Sequence, residues 1–95
     1  MIIYIGSDHG GYELKQILME RLKEMGVACV DVGSDSTDIV RYPYYAANVA
    51  EAVADGRADR GILICSTGIG MSIMANRFRG IRASLCTDTY MAKMT

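Results

Sequence analysis

Short apolar runs alternate with amphipathic segments along the chain. Residues 2–5 form an uninterrupted apolar run that ends at Gly6, which is typical of a central strand in a parallel sheet, covered on both faces. From Tyr12 to Met25, apolar residues recur at helical spacing with Glu and Lys on the remaining face, and Gly26 follows where a helix-ending glycine belongs. The pattern therefore predicts a buried strand followed by an amphipathic helix.

The same alternation continues to the end of the chain. It predicts further strands over 27–32, 61–65 and 81–86, and helices over 45–55, over 71–78 and from Thr87 onward. Strict alternation of strands and helices implies right-handed crossovers, and therefore an α/β fold with a doubly wound parallel sheet. We expect one domain over residues 1–95, with strand order 2-1-3-4.

Composition and charge narrow the class of protein. The chain has 95 residues, a formal net charge of −1, 51% hydrophobic residues and seven methionines. Such a charge gives no general attraction to nucleic acid or to an anionic membrane, and no apolar run approaches the roughly 18 residues of a membrane span. The start of the chain also lacks the pattern of a secretory signal. We expect a cytoplasmic protein that oligomerises, because a core this small cannot bury so much apolar surface.

The first candidate loop follows the first strand. In strand order 2-1-3-4 the chain reverses direction between strands one and three, and ligands bind at the carboxyl ends of these strands. The loop Gly6-Ser7-Asp8-His9-Gly10-Gly11 places an acid and the only histidine there. Two interpretations of Asp8 stay open, a helix cap and a ligand contact. His9 favours the ligand, because a cationic imidazole gains nothing from a helix N-terminus.

The second candidate loop follows the third strand and reads Cys65-Ser66-Thr67-Gly68-Ile69-Gly70. Its small residues let the backbone approach a ligand, and backbone N–H groups at the start of a helix attract anions. A Walker motif is absent and Gly-x-Gly alone is a weak signal, so a plain tight turn is the alternative. Cys65 favours chemistry, because a helix N-terminus promotes the thiolate, which can act as a base.

The remaining candidate residues carry weaker signals. Three cysteines match neither a disulfide framework nor a zinc pattern, so we expect reduced thiols. Cys29 lies within a predicted strand and is interpreted as packing, and Cys86 as structural. Asn76 lies at the end of the third predicted helix, where it either caps the helix or reaches a substrate hydroxyl.

Several separated motifs occur together in a fixed order. They are Gly6 to Gly11 followed by Glu13-Leu14-Lys15, the pair Tyr42-Pro43, the stretch Gly61 to Ile73, Asn76, and Gly80-Ile81-Arg82-Ala83. With them the whole chain resembles the type B ribose-5-phosphate isomerases, a family that also contains galactose-6-phosphate isomerase subunits. The resemblance implies a Rossmann-like fold, a homodimer or homotetramer, no metal or organic cofactor, and aldose–ketose isomerisation of a sugar phosphate, foremost ribose 5-phosphate, through an enediolate.

The resemblance also implies roles for individual residues. Aldose–ketose isomerisation needs a base and donors for a negative oxygen. By resemblance Cys65 is the base, and loop 66–70, with Thr67, stabilises the enediolate. Asp8 and His9 assist ring opening and hold the sugar or its phosphate, and Tyr42 lines the sugar site. The expected catalytic set is Cys65, Thr67 and Asp8, and the expected substrate-binding set is Asp8, His9, Tyr42, Ser66, Thr67, Gly68, Ile69, Gly70 and Asn76.

The sequence departs from the family pattern at three places. Ser66 stands where the family usually has glycine, and Arg41 stands where the ribose enzymes carry an acid. The printed sequence also stops before the family's downstream His-Asn segment, its fifth strand and the arginines that bind phosphate. We therefore expect the N-terminal portion of a longer protein, with little activity of its own.

A second function stays open, a non-catalytic sugar-phosphate-binding module or partner subunit. Cys65 together with Asp8 and His9 favours the enzyme, because a binding module needs no reactive thiol. A redox-sensing thiol protein is a weaker third interpretation, since no resolving cysteine neighbours Cys65.

Overall fold

The computed structural model describes residues 1–34 and 42–95. Its elements, in chain order, are β1 (Ile2–Ser7), α1 (Tyr12–Glu24), β2 (Ala28–Asp31), α2 (Tyr42–Ala54), β3 (Arg60–Ile64), α3 (Ile69–Asn76) and α4 (Thr89–Met94), and one 3-10 turn, His9–Gly11, leads into α1. The alternation of strands and helices confirms the predicted α/β class. None of the helices in these two ranges is long and apolar enough to cross a membrane.

The described strands form a parallel sheet in the order β2-β1-β3. β1 lies in the middle, with Ile3 opposite Cys29 on one side and Ile5 opposite Ile62 on the other. Ile3 and Ile5 are buried, because a central strand has a neighbour on each edge and a helix over each face. The carboxyl ends of β1 and β3 meet where Ser7 lies opposite Ile64.

Helices cover the sheet on two sides. α2 packs on the side of Gly6 and Gly61, where a Cβ added to Gly61 would lie 2.5 Å from Val49 Cγ1. The absence of a side chain at these two positions lets the helix approach the strands closely. α1 contacts all three strands, and α3 packs on α2, with Met71 and Ala75 buried.

α1 buries only part of the apolar face that its pattern predicts. Leu14 and Ile17 are 50% and 66% exposed, whereas Lys15 is fully buried. The reason is a specific partner: the Lys15 ammonium donates to Asp31 Oδ1 at 2.7 Å. A buried charge is tolerated when it is paired and hydrogen-bonded in this way.

Strand order 2-1-3 is confirmed, but the segment predicted as the fourth strand is not paired with the described sheet. Residues 81–86 run without regular secondary structure. Both backbone groups of Ala83 instead bond to the side chain of Asn76. Residues 35–41, including Arg41, lie outside the described residues.

Candidate active site at the carboxyl ends of β1 and β3

Two loops start side by side at one edge of the sheet. Ser7 of β1 lies opposite Ile64 of β3, so the next residues, Asp8 and Cys65, leave the sheet as neighbours. The backbone N–H of Asp8 donates to the carbonyl of Ile64 at 3.2 Å, which extends the contact between the strands by one residue. The sheet thus brings together the two chemical candidates from separate parts of the sequence.

Asp8 uses both of its carboxylate oxygens. Oδ1 accepts the backbone N–H of Gly11 at 3.0 Å and caps the 3-10 turn before α1, which is one of the two interpretations that the sequence left open. Oδ2 accepts the thiol of Cys65 at 3.2 Å. Asp8 is only 6% exposed, so the cap holds a largely buried carboxylate against the thiol.

Glycines allow the two loops to approach this closely. A Cβ on Gly11 would lie 2.5 Å from the carbonyl oxygen of Ile64, so a side chain there would push the turn away from β3. A Cβ on Gly10 would overlap Ser66 Oγ and lie 3.3 Å from Asp8 Oδ1. Gly10 and Ser66 therefore share one small space beside the carboxylate.

The loop after β3 is exposed and turns sharply into α3. Gly68 has a φ of +79°, which favours glycine, and is the N-cap residue of α3. Thr67 Oγ1 accepts the N–H of Ile69 at 3.2 Å. Within the described ranges, no acceptor is found for the backbone N–H groups of Ser66, Thr67, Gly68 and Gly70. These donors are open to a ligand, as the predicted anion-binding loop requires.

A partly buried hydrogen-bond network contacts Asp8 from the end of β2. Lys15 of α1 donates to Asp31 and also to the backbone carbonyl of Ser34. Asp31 Oδ1 accepts the N–H of Gly33 at 2.9 Å, and Ser34 Oγ donates to the carbonyl of Asp8 at 3.3 Å. We call Lys15, Asp31, Gly33 and Ser34 the Lys15 network; sequence reasoning missed it, although Lys15 belongs to one of the motifs that carry the family resemblance.

The other predicted site residues are placed less centrally. His9 follows Asp8 in the 3-10 turn and is half-buried. Tyr42 begins α2, and its side chain lies outside the described residues. Asn76 donates to the carbonyls of Ser72 and Ala83, both at 2.9 Å, and accepts the N–H of Ala83 at 2.8 Å. Both amide hydrogens of Asn76 thus serve the backbone, a different use from the predicted substrate contact.

The three thiols occupy different environments. Cys86 is exposed, and Cys29 and Cys65 are half-buried. Burial raises the pKa of the Cys29 thiol, Asp31 raises it further, and Lys15 opposes the change. Cys29 is therefore held in the unreactive thiol form, which agrees with its interpretation as packing. In the part of the chain described, no cluster of three His, Cys, Asp or Glu side chains is arranged to hold a metal ion.

The α/β fold with its parallel sheet is shared with solved structures of one family of isomerases. The chain belongs to that family, Ribose/Galactose Isomerase, whose model matches residues 3–95. The family resemblance of the sequence is thus confirmed.

Individual relatives are similar over nearly the whole chain. Ribose-5-phosphate isomerase B of Escherichia coli (strain K12) is 48% identical over 93 residues, which are 98% of this chain and 62% of that protein. The structure of Clostridium thermocellum ribose-5-phosphate isomerase B superposes with a TM-score of 0.96 at 52% identity, covering 99% of this chain and 64% of that one. D-erythrulose-4-phosphate isomerase of Pectobacterium atrosepticum is 44% identical over 92 residues, 96% of this chain and 60% of that protein. The chain spans less than two thirds of the length of each relative.

Proposed function

We propose that this chain carries the proton-transfer site of a sugar-phosphate isomerase that converts ribose 5-phosphate to ribulose 5-phosphate. The observation that carries the proposal is the hydrogen bond from the Cys65 thiol to Asp8 Oδ2, 3.2 Å long, at the carboxyl edge of a parallel sheet. A thiol beside a largely buried carboxylate and a loop of open N–H donors supplies a base and a site for a negative oxygen. A binding module needs only the second of these.

In the proposed reaction Cys65 is the base. Its thiol proton passes to Asp8 Oδ2, which already accepts it in a hydrogen bond. The thiolate then removes the proton from C2 of the open-chain aldose, and the electron pair moves through C2 to the C1 carbonyl, giving an enediolate. Return of that proton to C1, with transfer of the O2 proton to O1, gives the ketose. A positioned base contributes roughly 10²–10⁴-fold to such a step.

The loop over 66–70 stabilises the enediolate in this proposal. The open N–H groups of Ser66, Thr67, Gly68 and Gly70 and the hydroxyl of Thr67 are the donors for the developing negative oxygen. One well-placed donor of this kind contributes roughly 10²–10³-fold to the rate. Donors fixed by a backbone turn need no reorganisation when the charge forms.

The substrate contacts and the assembly belong to the same proposal. Asp8 and His9 assist ring opening and hold the sugar, Tyr42 lines the sugar site, and Ser66 to Gly70 surround the reacting carbons. We place the protein in the cytoplasm as a homodimer or homotetramer that uses no metal or organic cofactor. Because one relative is a D-erythrulose-4-phosphate isomerase, the choice of sugar phosphate is a question for the experiment.

The test follows exchange of the substrate C2 proton with D₂O, together with turnover, for ribose 5-phosphate, galactose 6-phosphate and D-erythrulose 4-phosphate. We expect slow but measurable exchange with ribose 5-phosphate, in line with the low activity expected from the sequence, and a fall of roughly 10²–10⁴-fold in Cys65→Ser. Cys86→Ser is the matched control, because Cys86 is exposed and lies outside the site. Binding of ribose 5-phosphate without exchange in the wild-type chain would favour the binding module, and unchanged exchange in Cys65→Ser would remove Cys65 as the base.

A further inference from the structure

The side chain of Asn76 attaches the segment after α3 to the helix. Its Nδ2 donates to the carbonyl of Ala83 at 2.9 Å, and its Oδ1 accepts the N–H of Ala83 at 2.8 Å. The same Nδ2 donates to the carbonyl of Ser72 at 2.9 Å. Among the described residues, the two hydrogen bonds to Ala83 are those that tie 82–86 to the rest of the molecule. The other hydrogen bond of this segment joins Cys86 to Ser84 within it. We call this arrangement the Asn76 clamp.

The clamped segment reaches the start of α3 through Leu85. A Cβ on Gly68 would lie 2.6 Å from Leu85 Cδ1, so this methyl group covers the α-carbon of Gly68. Gly68 is the residue with a φ of +79° at which the loop after β3 turns into α3. Its carbonyl also accepts the N–H of Ser72 at 3.0 Å. The segment that Asn76 bonds at the end of α3 therefore also contacts the start of the helix.

We propose that Asn76 is a positioning residue, which fixes the donor loop over 66–70 by holding Ala83, and through it Leu85, against Gly68. Its catalytic consequence rests on the function proposed above. Asn76 itself does not touch substrate in this role, because both of its amide hydrogens are taken by backbone carbonyls.

The proposal explains why the side chain is a carboxamide. Bonding to both backbone groups of Ala83 requires one donor and one acceptor on the same planar group, which asparagine provides. An aspartate keeps the acceptor but turns a second negative oxygen toward the carbonyls of Ser72 and Ala83. Asn76→Asp should therefore behave like Asn76→Ala, although it differs from the wild type by a single group.

The first test is structural and needs no activity. In ¹H–¹⁵N spectra we expect Asn76→Ala, Asn76→Asp and Leu85→Ala to shift the backbone amide signals of Gly68 and Ile69. For each of these two signals the three variants should shift the peak in the same direction, and the β1 signals should stay unchanged. Asn48→Ala, the same change in α2 at a residue for which no side-chain hydrogen bond is found within the described ranges, should leave Gly68 in place. A Gly68 signal that stays in place in Asn76→Ala, or that moves equally in Asn48→Ala, would overturn the proposal.

The second test uses exchange of the substrate C2 proton. We expect Asn76→Ala to lower kcat by about tenfold with KM changed less than about twofold, because misplaced donors weaken the transition state more than the ground state. Asn76→Ala combined with Leu85→Ala should cost little more than either change alone, since both act on one contact. Full additivity would contradict the path through Leu85. Absence of exchange in the wild type would count against the proposed function and leave the spectroscopic test of the clamp intact.

Discussion

Replacing either member of the ion pair Lys15–Asp31 should destabilise the fold, and the change at Asp31 should cost more than the change at Lys15. The ammonium of Lys15 has no exposed side-chain surface, whereas the side chain of Asp31 is 30% exposed. Removing one partner of a buried ion pair costs about 3–5 kcal/mol, because the remaining charge stays buried without compensation. The variant that leaves the buried Lys15 ammonium unpaired should therefore lose more stability than the variant that leaves Asp31 unpaired.

The structure sets the size of each effect. In Asp31→Ala the Lys15 ammonium keeps one neutral acceptor, the carbonyl of Ser34, and the N–H of Gly33 loses its partner as well. We therefore expect the full loss of about 3–5 kcal/mol. In Lys15→Met an apolar chain of similar length fills the space, and Asp31 retains water and the Gly33 N–H, so we expect about 2 kcal/mol.

Urea unfolding measures both changes. With m near 1–3 kcal/mol/M, the midpoint should fall by roughly 2 M for Asp31→Ala and by about 1 M for Lys15→Met. The double variant should lose clearly less than the sum, because the second change removes a charge that the first left unpaired. Lys23→Met, on an exposed position of the same helix, should stay within about 0.5 kcal/mol. Equal losses in the two single variants, or an additive double variant, would refute this account of Lys15.

Two further predictions concern the neighbourhood of the site. Gly10→Ala should cost about 1–3 kcal/mol by overpacking against Ser66, and Ser66→Gly in the same chain should recover most of it; no recovery in thermal unfolding would contradict the shared space. Iodoacetamide labelling read by mass spectrometry should modify Cys65 faster than Cys29 at neutral pH, because burial and Asp31 raise the Cys29 pKa. Because the folded state holds the Cys29 proton more tightly, this thiol adds to the free energy of unfolding below the pKa of an unfolded thiol. That contribution is lost as pH rises through the higher pKa of the folded state. Faster labelling of Cys29 than of Cys65 would contradict the raised pKa of Cys29.

The sequence predicts best where a single physical requirement acts on each residue. The apolar run of β1 needs two covered faces and has them, since Ile3 and Ile5 are buried. Asp8 and Cys65 could be assigned to one edge of the sheet because parallel strands place their carboxyl ends together. Their hydrogen bond could not be predicted, since it depends on the side-chain direction that the cap at Gly11 imposes.

Sequence reasoning fails where a polar side chain takes a role usually filled by apolar packing or by strand pairing. The helical pattern of α1 treats Lys15 as solvent-facing, because periodicity records polarity and contains no information about a partner on β2. The run Ile81 to Cys86 is apolar enough to predict a strand, yet Asn76 bonds to both backbone groups of Ala83 that would join a ladder. Both errors concern contacts between residues from separate elements.

The geometry of the Cys65–Asp8 pair is determined mainly by backbone hydrogen bonds. Ser7 lies opposite Ile64 in the sheet, the Asp8 N–H donates to the Ile64 carbonyl, and Gly11 fixes one carboxylate oxygen. The second oxygen then has little freedom, and it meets the thiol at 3.2 Å. Because a sheet of parallel strands is far stiffer than a pair of side chains on loops, the thiol and the carboxylate keep their separation without a dedicated side-chain scaffold. The contact between Cys65 and Asp8 therefore does not depend on the side chains of the loop over 66–70.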